Sequence, residues 1–115
     1  MLSRDFLLQQ AAPAPVPFPV PEWHGEIALR PLSVAGVIAW GDALRDEARR
    51  TAGEATALLV LHGACTAEGS PLFEAADLPW LLAQPGVALQ RIAARVLEIS
   101  GFETRPAEGN AQAGQ

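Results

Sequence analysis

Apolar positions recur at three- and four-residue intervals through most of the chain, with one period-two stretch near the start. From 34 to 50, Val34, Val37, Ile38, Gly41, Leu44 and Ala48 follow helical spacing, while Asp42, Arg45, Asp46, Arg49 and Arg50 fall on the other side. Ser33 stands where an N-cap belongs. Residues 51–65 differ: Ala57, Leu58, Leu59, Val60, Leu61, Ala64 and Cys65 leave no polar side. A short helix that is apolar all round is a buried central element. Thr51 and Glu54 have capping-box spacing, which predicts its start.

The stretch 68–102 is the most clearly punctuated. Glu68-Gly69-Ser70-Pro71 reads as a tight turn, and Leu72 and Phe73 return to the core. Asp77 as N-cap, with Pro79 in the first turn, predicts a short helix through Trp80, Leu81 and Leu82. Pro85 opens a longer helix whose stripe is Val87, Leu89, Ile92, Val96, Leu97 and Ile99. Gly101 and Phe102 fit the C′ and C″ positions that end it.

The N-terminal part is less regular. Residues 1–10 predict a short helix capped by Ser3, with Phe6 and Leu7 on one side. Prolines at 13, 15, 17, 19 and 21 then alternate with other residues, and fixed φ with missing amides predicts an extended spacer. Residues 20–30 read as a β-hairpin turning at His24-Gly25, with Ile27 and Leu29 on one face. From Pro106 onward Ala, Gly, Gln and Glu predominate, which predicts a disordered tail. The expected fold is mostly α, with four to five helices after a short N-terminal hairpin. Its expected divisions are 1–19, an N-terminal segment with proline-rich linker; 20–103, the folded domain; and 104–115, the tail.

Composition narrows function. A chain of 115 residues builds one core, and its apolar fraction of 50% is that of a globular protein. The net charge is −5 and all eight basic residues are arginine, without a basic cluster. That argues against nucleic acid and against anionic membranes as partners. A single cysteine suits a reducing cytoplasm, and no segment approaches a membrane span or a secretory signal.

Candidate chemistry is sparse. His62 and Cys65, three apart, could share a metal, but no second pair of ligands accompanies them. Nothing orients His62 as a base for Cys65. Without lysine there is no phosphate-loop motif, and Asp46-Glu47 and Glu74…Asp77 read as surface or cap groups. No catalytic, metal or cofactor site is expected, and no enzyme activity. The tryptophans are the candidate partner-binding residues: Trp40 beside the 34–50 stripe, Trp23 at the hairpin turn, and Trp80 next to a proline. They also suit the edge of the core.

The ordered set of motifs resembles a known family. Val20-Pro21-Glu22-Trp23-His24-Gly25-Glu26 leads into Leu29-Arg30-Pro31-Leu32-Ser33 and a helix. A very apolar helix follows, then Glu68-Gly69-Ser70-Pro71-Leu72-Phe73, Asp77-Leu78-Pro79-Trp80-Leu81 and a helix closing on Ser100-Gly101. Over residues 16–103 this is similar to the tail assembly chaperones of long-tailed, noncontractile bacteriophages and related prophages. His24 stands where such chaperones more often carry glycine, and Thr66-Ala67 where acidic residues are common. The resemblance implies binding to the tape-measure protein, keeping it soluble, and helping recruit the tail-tube protein. It implies action in the host cytoplasm and absence from the mature virion, with self-association a further candidate contact. The alternative is a structural virion component such as a head–tail connector or tail-completion protein.

Overall fold

A computed structural model describes residues 1–9 and 14–102. The expected tail, 104–115, lies outside the described residues. The fold is mostly helical. A β-hairpin, β1 (Val16–Val20) and β2 (Gly25–Leu29), follows an N-terminal helix, α1 (Arg4–Gln9). Five α-helices come after it: α2 (Val34–Arg45), α3 (Glu47–Thr51), α4 (Glu54–Gly63), α5 (Leu78–Leu82) and α6 (Gly86–Ile99). A two-residue strand, β3 (Ala64–Cys65), leaves α4 and completes an antiparallel sheet of order β1-β2-β3.

The proline stretch departs from its expectation. Val16–Val20, read as part of the spacer, is an edge strand pairing Val16 with Leu29, Phe18 with Ile27 and Val20 with Gly25. The two prolines inside it are the reason it can only be an edge. The amide of Arg30 donates to Gly63 O at 2.9 Å, so even-numbered residues of β2 aim their backbone groups at β3 and odd-numbered ones at β1. Pro17 and Pro19, opposite Ala28 and Glu26, therefore sit where no amide is required, and their outer edge presents no N–H to another strand. The turn also lies differently. Pro21–Trp23 form a 3₁₀ turn, and His24 closes it at φ 60° with its amide donating to Pro21 O at 3.0 Å.

Helix α4 is the centre, as its composition predicts: Ala55, Ala57, Leu58, Leu59, Val60 and Leu61 are all buried. Val20 and Leu29 from the sheet, Ala43 from α2, Leu81 from α5, and Leu89, Ile92 and Val96 from α6 share this core. Its start is not the expected capping box. Thr51 ends α3, and Gly53, at φ 84°, is the residue that turns the chain into α4. Glu54 instead pairs with Arg49 at 2.7 Å. The expected single helix over 34–50 is broken at Asp46. That residue is extended (ψ 113°), and its carboxylate accepts from the Arg49 amide at 3.2 Å, starting α3. The Asp77 carboxylate reaches back to accept from the Glu74 amide at 2.8 Å, capping the turn before α5 and not α5 itself.

The orientation of α2 is the largest correction. Its buried residues are Gly36 and Ala43. Val34 and Ile38, expected to face the core, are 78% and 57% exposed. A Cβ on Gly36 would lie 3.2 Å from the His62 Cβ, so the helix is drawn onto α4 through its smallest residue. Two large apolar side chains, one helical turn apart, are left outside.

Candidate functional site

The three tryptophans fall into two clusters. Trp23, Phe73 and Trp80 pack with ring centroids 5.6–6.1 Å apart. Trp23 is half-buried, and its indole N–H donates to Gln84 Oε1 at 2.9 Å, while the Gln84 amide donates to Trp80 O at 3.2 Å. The hairpin turn is thereby fixed to the end of α5. Trp80 is the outermost member, 49% exposed.

Trp40 belongs to a second cluster, built by the end of α6. The Gly101 amide donates to Glu98 O at 3.2 Å and the Phe102 amide to Leu97 O at 2.9 Å, with Gly101 at φ 90°. These are the two bonds of a Schellman cap. Ser100 ties this cap to the start of α2, because its hydroxyl accepts from the Leu32 amide at 2.9 Å and donates to Val96 O at 2.6 Å. So held, the Phe102 ring meets Trp40 edge-on, with centroids 5.3 Å apart. Trp40 is half-buried against the core, not free. The structure brings Trp23 and Trp80 together and leaves Trp40 in its own pair. Phe102 and the outward Val34 and Ile38 are exposed apolar residues that the sequence does not single out as candidates. The sequence marks Phe102 only as a cap contact, and hydrophobic periodicity places the other two on the apolar stripe.

A third feature is a groove of about 430 Å³ on the sheet face away from the helices. Pro15, Pro17, Ala28, Ala67 and Leu72 line it, over Cys65, which is 1% exposed. The loop 66–72 forms one wall: Cys65 bridges to Pro71, and the Arg30 guanidinium donates to Gly69 O at 2.8 Å.

His62 and Cys65 carry no matched chemistry. Burial, with the nearby Arg30 charge, lowers the His62 pKa below 6.5. Burial raises that of Cys65 above 9.0, partly opposed by Arg30, so its thiol stays protonated at neutral pH. Among the described residues, no group of three or more His, Cys, Asp or Glu is placed to hold a metal ion, and no helix is long and apolar enough to cross a membrane.

The chain is thus a small helical domain backed by a three-stranded antiparallel sheet, with aromatic and aliphatic side chains exposed on its surface. That fold is shared with the tail assembly chaperone of bacteriophage HK97. The two chains superpose with a TM-score of 0.63 and 19% sequence identity, over 86% of this chain and 94% of that one. The likeness of fold agrees with the resemblance read from the motifs. No protein-family model and no curated protein matches the sequence.

Proposed function

We propose that the protein is a non-enzymatic phage tail assembly chaperone that binds the tape-measure protein, keeps it soluble and helps recruit the tail-tube protein. The observation that carries this reading is the outward apolar ridge of α2. Val34 and Ile38 stand one turn apart on a helix whose other side is already packed, with Leu44 exposed further along. Such a ridge suits the apolar side of a long amphipathic helix, the chemistry expected of a tape-measure protein. The shared fold supports the assignment to tail assembly. Trp40, on the packed side of α2, and the Trp23–Trp80 cluster at the hairpin turn are proposed as further anchors, separate from this ridge. The site of action is the host cytoplasm, and the finished particle lacks the protein.

Co-expression with the tape-measure protein tests this. Solubility of the long protein should depend on this chain and be lost with Val34→Asp/Ile38→Asp, whose exposed positions leave the fold intact. Trp40→Ala should weaken the complex by more than ~1 kcal/mol. Equal insolubility with and without the chain refutes the chaperone role. Its recovery from purified virions by mass spectrometry would favour a structural component instead.

A further inference from the structure

Helix α1 poses a physical problem. It has six residues, none of them buried, and Phe6, Leu7 and Leu8 are exposed in succession. A Ser3 cap, whose hydroxyl accepts from the Phe6 amide at 3.2 Å, does not suffice to hold so short a helix in water, because isolated helices below about 12 residues are marginal. Its three consecutive apolar side chains span more than half its circumference at 100° per residue. Such a segment needs an apolar surface to fold against.

The sheet groove is the apolar surface adjoining its tether. Pro15, at one end of the groove, is six residues after Gln9, and six residues reach at most about 20 Å. Glu26 is the one charged residue among those lining the groove, and α1 begins with Arg4, exposed and 3.9 Å from the equally exposed Asp5. We propose that α1 docks into the groove of its own chain, with Phe6 and Leu7 against Ala28, Ala67 and Leu72 and Arg4 toward Glu26. Attachment through a short tether raises the effective concentration of the helix at the groove to millimolar levels, which favours this occupant over a free apolar peptide. The groove and the α2 ridge then have separate roles. The first is filled from within, and the second remains open to a partner.

NMR relaxation of the ¹⁵N-labelled full-length chain tests the docking. Amides of residues 4–9 are expected to show order parameters near 0.85, as in the sheet. In Phe6→Asp/Leu7→Asp they should fall below about 0.6, with shifts at Ala28, Thr66 and Leu72 and none in α4. Leu72→Asp should release the helix in the same way. Order parameters below about 0.6 for residues 4–9 in the unaltered chain would overturn the proposal. So would ordering that appears only as protein concentration rises, which would place the helix in a neighbouring molecule's groove.

Discussion

Helices α4 and α6 approach closely at Gly63, and replacing that glycine with alanine measures how tightly the core is set. A Cβ there would lie 2.5 and 2.7 Å from the two Val96 methyls and 3.2 Å from the Val96 Cβ. Carbon atoms pack at about 3.5–4.0 Å, so the helices must part by about 1 Å or Val96 must leave its rotamer. Valine in a helix has essentially one χ1 state, which closes the second route. Overpacking of this kind costs about 1–3 kcal/mol. Val96→Ala alone removes two buried methyl groups, about 1.6 kcal/mol of transfer free energy, with a cavity contribution on top. A total of about 2–3 kcal/mol is expected. In the double variant the new methyl fills space that the old ones vacated, so the loss should be about 2 kcal/mol, well below the sum of the singles. Urea denaturation followed by tryptophan fluorescence reads this directly. With m near ~1 kcal/mol/M, each single substitution should lower the midpoint by about 1–3 M. Additivity within about 0.5 kcal/mol, or a neutral Gly63→Ala, would refute the close crossing.

Three further outcomes follow from local geometry. His24 is the one non-glycine residue with positive φ among those described, and His24→Gly should stabilise the fold by about 0.5–1 kcal/mol, measured by the same urea titration. Gly101→Ala places a Cβ at φ 90° in the Schellman cap and should cost about 1–2 kcal/mol while loosening Phe102 from Trp40, visible as altered Trp fluorescence. The Arg91 guanidinium, 2.6 Å from Glu22, holds that carboxyl below its ordinary 4.5. A depressed carboxylate contributes stability that is complete above 4.5 and is lost as pH falls through its lower folded value. Stability measured from pH 5 down to pH 2 should therefore fall less steeply in Glu22→Gln than in the unaltered chain.

How much of this was legible in the sequence depended on which physical signal dominated each element. The cap at Gly101-Phe102, the Ser33 N-cap and the buried α4 were readable because each rests on local chemistry or on a composition with one outcome. The facing of α2 was not. Hydrophobic periodicity assigns the largest apolar residues inward, whereas here the close approach to His62 selects Gly36, and Ala43, two turns on, is buried on the same side. Strand β3 has two residues, too few for any periodicity, and its partner comes from 35 or more positions earlier. The edge strand was masked by proline, whose extended preference fits a spacer equally well until the neighbouring strand is known. For the candidate contact surface, the tryptophans were identified by type. Their grouping into Trp23–Trp80 and Trp40–Phe102 required contacts between residues more than 50 apart.

The alternation of prolines in β1 has a consequence for how the sheet assembles. A slip of one residue between β1 and β2 would turn Pro17 and Pro19 toward β2, where each would leave a strand carbonyl without its donor. At about 1–3 kcal/mol for each buried group left unpaired, a wrong pairing is penalised by the backbone before any side chain is packed. The prolines thus proofread the register of the hairpin, selecting the alignment that sends Val20 and Leu29 into the core during folding.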